Sequence, residues 1–189
     1  FTGTNSYTGV TNISAGTLAI TNNSALGTTS GTTTVSDGAT LQISGGITVA
    51  ENIYINGSGM SSNGAIYLLS GNNTYSGAIA LQSNSTMTSA AGNQTFSSTI
   101  NGTYDLTILS AGNWSQSAAI GGSSALADYS LTASSGNVTT SAITANGSID
   151  IFGVNITVSS GTLTAGSNEN IILSASGDFI NSSGATALS

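Results

Sequence analysis

The chain has 189 residues and a formal net charge of -7, from seven acidic residues and no Lys, Arg or His; it also lacks Cys and Pro. Without a cation it cannot neutralise a phosphate backbone, which excludes nucleic acid as a partner, and an anionic membrane surface would repel it. Without a thiol there is no disulfide framework and no thiolate site.

Residues are 38% hydrophobic but only 4% charged, against about 25% charged in an ordinary domain. The apolar content argues for a buried core rather than disorder. No apolar run approaches the roughly 18 residues of a membrane span.

Helix-forming runs are nearly absent along the chain. Short stretches instead alternate apolar and polar residues, with β-branched residues frequent, until Gly or Asn interrupts them. Thr17-Leu18-Ala19-Ile20, Ala39-Thr40-Leu41-Gln42-Ile43, Asn52-Ile53-Tyr54-Ile55 and Ser148-Ile149-Asp150-Ile151 are examples. Period-two alternation over four to six residues predicts half-buried strands joined by tight turns.

The second half of the chain repeats. DLTILSAGNWSQSAAI from Asp105, DYSLTASSGNVTTSAIT from Asp128, SIDIFGVNITVSSGTLTA from Ser148 and ENIILSASGDFINSSGATA from Glu169 share one order: apolar strand, Gly-containing corner, second strand. A period of about 20 residues signals a solenoid. The predicted fold is therefore all-β, a right-handed parallel β-helix with coils of about 20 residues. About nine coils stacked about 4.8 Å apart would make a rod about 40–45 Å long. Single apolar residues suffice in such a rod, because one side of each strand faces inward. Leu18, Ile20, Leu41, Ile43, Ile66, Leu68, Met87, Leu106, Ile108, Leu131, Ile149, Ile151, Ile171 and Leu173 are expected to stack into apolar columns. Like charges stacked coil upon coil repel, which accounts for their scarcity.

Gly3, Asn5, Tyr7-Thr8-Gly9, Thr11, Ile13, Gly16-Thr17-Leu18 and Ile20 resemble the passenger-associated repeat of autotransporter proteins. The stretch from Asp105 onward is similar in style to the coils of filamentous-haemagglutinin-type adhesins. This resemblance implies a bacterial surface or secreted β-helix used in adhesion, aggregation or matrix building. It brings no catalytic residue with it. Residues 1–189 are accordingly expected to be one β-solenoid segment of a longer exported repeat protein.

Few side chains offer chemistry. Asp105, Asp128 and Asp150 each precede an apolar strand residue, and Asn170 holds the next equivalent place. If they stack at one corner, their hard oxygens suit Ca²⁺, the one cofactor the sequence suggests. Asp and Asn also suit turns in their own right, and the repeat-borne calcium motif is absent. No His or Lys exists to activate the many serines, so an enzyme is not expected. Twelve Asn-x-Ser/Thr triplets, Asn72, Asn93, Asn113, Asn137 and Asn155 among them, are formal glycosylation acceptors. Trp114 stands among small residues, at a place matched by Val138 and Phe179, and reads as a core or corner filler.

The function expected from these residues is structural and adhesive: an extracellular or cell-surface rod whose neutral-to-acidic Thr, Ser and Asn faces hydrogen-bond to host or cell-surface glycans or to copies of itself. Open strand edges would be covered by neighbouring sequence or neighbouring subunits. Two alternatives stand beside it. Thr32-Thr33-Thr34, Thr86-Met87-Thr88 and Thr162-Leu163-Thr164 hint at ice binding, but Thr does not visibly recur from coil to coil. A polysaccharide-cleaving β-helix would need paired carboxylates.

Overall fold

The computed structural model describes residues 1–182. They form a parallel β-solenoid of about eight turns. Coil 1 carries β1 (Thr11–Ile13) and β2 (Gly16–Ile20). Coil 2 carries β3 (Thr32–Val35), β4 (Ala39–Ile43) and β5 (Thr48–Val49), and coil 3 carries β6 (Asn52–Gly57), β7 (Ile66–Leu68) and β8 (Asn73–Tyr75). β9 (Ile79–Ser89) and β10 (Gln94–Phe96) make coil 4; β11 (Ile100–Asn101), β12 (Leu106–Ser110) and β13 (Trp114–Gln116) make coil 5. β14 (Tyr129–Ala133) and β15 (Val138–Thr140) belong to coil 6. β16 (Ile143–Thr144), β17 (Ile149–Gly153) and β18 (Ile156–Val158) form coil 7, and β19 (Leu163–Thr164), β20 (Ile171–Ala175) and β21 (Phe179–Asn181) form coil 8. The end of the fourth repeat, 183–187, lies outside the described residues.

Every strand pairs in parallel with its counterpart one coil away, which gives three faces. The first runs β1, β3, β6, the start of β9, β11, a bridge at Ile120, β16 and β19. The second runs β2, β4, β7, the end of β9, β12, β14, β17 and β20. The third runs β5, β8, β10, β13, β15, β18 and β21. β9 belongs to two faces because its eleven residues turn the first corner without a break.

The predicted columns are present. Leu18, Leu41, Ile66, Met87, Ile108, Leu131, Ile151 and Leu173 are register partners in that order. All are buried except Leu18 and Leu173, which are half-buried. The coil length of about 22 residues agrees with the expected period of about 20, but one expectation needs correction: there are about eight coils, not nine. Coil 3 is one reason. Residues 58–65 leave the rod, make a short 3₁₀ turn at Met60–Ser62, and return to β7. Thr40 anchors this excursion: its hydroxyl donates to the Gly64 carbonyl (2.9 Å) and accepts from the Met60 amide (2.8 Å).

Aromatic rings fill the middle of the rod. Tyr75, Phe96 and Trp114 rise in three successive coils, with ring centroids 5.0 and 4.2 Å apart. As these rings enlarge the third face, the second gives way. The column that starts Ile20, Ile43, Leu68 continues as Ser89, Ser110, Ala133. Phe96 and Trp114 thus stand in the two coils where that column has shrunk to Ser89 and Ser110, which gives the rings room in a close-packed interior. Part of the polar interior is satisfied locally, while groups such as Glu51 and the Trp114 N–H are buried without a partner. Buried Asn73 accepts from the amides of Gly46 and Ile47 (3.1 Å each) and donates to Gln94 Oε1 (3.2 Å).

Candidate functional site

Alternation turns every second side chain of the third face outward, and register stacks those residues into rows. One row is Thr48, Thr74, Thr95, Ser115, Thr139 and Thr157, register partners across six coils. None of these six hydroxyls has a hydrogen-bond partner among the described residues. Successive hydroxyls stand about 4.8 Å apart along the rod. Their β-branched stems, Ser115 excepted, restrict χ1 and so hold the hydroxyls in place.

Two residues upstream runs a second row: Asn72, Asn93, Asn113, Asn137, Asn155 and Asp178. Its members bond to one another's side chains or cap the next coil's backbone. Asn93 N–H donates to Asn72 Oδ1 (2.9 Å), Asn113 Nδ2 to Asn93 Oδ1 (2.9 Å) and Asn137 N–H to Asn113 Oδ1 (2.7 Å). Asn155 Nδ2 donates to Asn137 Oδ1 (2.9 Å), and Asp178 N–H to Asn155 Oδ1 (2.7 Å). Glycine precedes most of them because the backbones pass too close for a side chain: a Cβ on Gly112 would lie 2.1 Å from the Gly92 carbonyl oxygen.

These two rows account for five of the twelve glycosylation triplets. Asn and Thr two residues apart on a strand share a face, so an Asn row beside a Thr row writes an Asn-x-Thr or Asn-x-Ser triplet in each of coils 3 to 7. The sequence reading missed both rows, although the recurring Gly-Asn dipeptide marks them. It also missed the recurrence of Thr. The three Thr triplets do not build the row, and Thr33 is fully buried. The recurring residues are single threonines scattered among other motifs.

The acidic residues lie elsewhere. Asp105 and Asp128 stack at the corner before the second face, between Asn84 and Ser148. Asn84 Nδ2 donates to Asp105 Oδ2 (2.6 Å), Asp128 N–H to Asp105 Oδ1 (3.2 Å) and Ser148 N–H to Asp128 Oδ1 (2.6 Å). Each carboxylate therefore caps the backbone of the next coil. Asp150 does not join them. Its register partners are Ser130 and Ile172, two residues further along the strand, and Ser148 takes the place the sequence reading gave it. Asn170 does lie in the column, where its N–H donates to Ser148 Oγ (3.4 Å). Among the described residues no three Asp or Glu side chains converge. The third face carries no charged residue from β5 through β18.

A groove of about 660 Å³ crosses the same corner over coils 2 to 5, lined by Asp37, Ser83, Asn84, Tyr104, Asp105 and Thr107 among others. It forms where β6 and β9 slip register between Ile55 and Gly57. Gly57 keeps it open, since a Cβ there would lie 1.8 Å from Asp37 Oδ1. Tyr104 offers the one aromatic ring in its lining and is 39% exposed. Trp114, by contrast, is 1% exposed and belongs to the core. No family model, no curated protein and no solved structure matches the chain.

Proposed function

We propose that this chain is a structural and adhesive rod of an extracellular or cell-surface protein, which works through surfaces rather than through a reaction. The observation that carries this reading is the unpaired hydroxyl row on a charge-free face. Six hydroxyls at a fixed spacing offer many weak hydrogen bonds to a partner that is itself periodic: a glycan chain, or the same face of another copy. The anionic charge of the remaining surface disfavours acidic polysaccharides. The family-level version, an autotransporter-passenger or haemagglutinin-like rod, rests on the Gly3–Ile20 repeat and on the solenoid fold together.

The test replaces Thr74, Thr95 and Thr139 together by Lys. Glycan-array binding and self-association by sedimentation velocity are then compared with the wild type. Loss of both activities without loss of β-structure supports the reading. Unchanged binding and association refute it.

The same row favours a second reading. A flat, regular set of threonine hydroxyls can order water, so ice binding is the competing function. Thermal hysteresis in the wild type that disappears in the triple variant would establish it in place of adhesion.

A further inference from the structure

Glu51 lies at the corner between β5 and β6 and is 4% exposed. Neither carboxylate oxygen has a hydrogen-bond partner or reaches solvent. The hydroxyl of Thr33, on β3 one coil below, is buried and unpaired in the same way. It sits close enough to favour the ionised carboxylate, though not in hydrogen-bonding geometry. Glu51 also closes a cavity of about 20 Å³ with Ile20, Asn23, Leu26, Gly27 and Thr29, so the first three coils meet around it.

A lone buried carboxylate is strongly unfavourable unless something neutralises it. No side chain can, because the chain has no Lys, Arg or His. A metal cation is poorly served. Calcium takes six to eight oxygens, and Asn23 Oδ1 already accepts from the Thr48 amide at 2.9 Å. The cavity is about the size of one water molecule. We propose that Glu51 is a proton-binding site, and that its neutral carboxyl holds coils 1 to 3 together.

Burial pushes the Glu51 carboxyl above its ordinary value of 4.5, and the Thr33 hydroxyl offsets part of that rise. A carboxyl raised on folding contributes stability that is complete below pH 4.5 and lost as pH rises through the folded-state value. Few titratable groups stand near. β6 contributes Tyr54 and the segment packed on Gly27 contributes Tyr7, both 37% exposed. β8 contributes Tyr75, whose buried hydroxyl is held protonated well above the usual range. Asp37 follows β3 but lies over Gly57. β3, β5 and residues 22–29 contribute none.

The experiment follows the Glu51 carboxyl carbon by NMR in the full 189-residue chain, alongside urea unfolding of the wild type and of Glu51→Gln between pH 4.5 and 8.5. The Glu51 resonance should remain in its protonated position above pH 4.5, the ordinary value of a glutamate carboxyl. Between pH 4.5 and the pH at which that resonance ionises, the wild-type unfolding equilibrium should move toward the unfolded chain by up to about tenfold per pH unit, and it should level off above that point. Glu51→Gln should lack that component. Three results would overturn the proposal: Glu51 ionising at or below its ordinary value of 4.5, parallel pH profiles for the two proteins, or KCl or CaCl₂ restoring the wild type but not the variant at pH 8. The resonance decides the matter even if the variant does not fold.

Discussion

Replacing Trp114 by Ala should weaken the rod at its middle. The indole is fully buried in coil 5 and stacks on Phe96 at 4.2 Å. Truncating a buried Trp costs about 3–5 kcal/mol, and the lost ring pair adds about 1 kcal/mol. Against that, the indole N–H is buried without a partner, so its removal returns about 1 kcal/mol. The net loss is about 4 kcal/mol, a large share of the roughly 5–15 kcal/mol that holds an ordinary domain together. In a solenoid each coil rests on its neighbours, so the loss should fall on the interfaces from coil 4 to coil 6. Urea unfolding followed by far-ultraviolet circular dichroism measures it, since the variant has no tryptophan to report by fluorescence. Trp114→Phe keeps a stacked ring and drops the orphan N–H, so it should cost less than half as much. A loss below about 1 kcal/mol for Trp114→Ala would refute the stacked interior, because no such residue is that cheap to remove.

Asn113→Ala should cost about 1–2 kcal/mol, since it strands the Asn137 amide and the Asn93 carbonyl, whereas Asn113→Ser should cost less. Asn113 and Asn155 donate through the same Nδ2 that a glycan would occupy, so peptide mapping by mass spectrometry should find both unmodified. Asp105→Asn removes one of two stacked charges but leaves a single side-chain oxygen where the carboxylate accepts from both Asn84 Nδ2 and the Asp128 amide. Its urea midpoint relative to the wild type should be higher at low salt than at high salt, where the charge pair is screened.

The interior was legible in the sequence because its period is two and its apolar residues are few. Ile108, Leu131, Ile151 and Leu173 could be aligned by eye, since each stands in one of four repeats of common order, whereas the coils that hold Leu41, Ile66 and Met87 repeat more loosely. The outward rows were not legible in the same way. Thr95 and Thr139 look like any other threonine in a Ser- and Thr-rich chain, and only the register shows that they share a row. Asp150 shows the converse failure. It precedes an apolar residue, as Asp105 and Asp128 do, but a period-two strand offers two such places, and one lies two residues beyond the corner. The coil count misled for a local reason. The excursion at 58–65 and the slip between Ile55 and Gly57 carry no repeat signature. Glu51 gave no signal at all, because a single acidic residue between Ala50 and Asn52 reads as a solvated turn.

The central claim is parallel winding with register partners one coil apart. Because the chain has no native cysteine, single Cys pairs can carry spin labels without interference. One label at Thr48 would be paired in turn with a second at Ser115, Thr139 and Thr157, which lie three, four and five coils along the same row. Electron–electron distances should lengthen by about 4.8 Å at each step. Distances that fail to rise in that order, as antiparallel hairpins would produce, would contradict it.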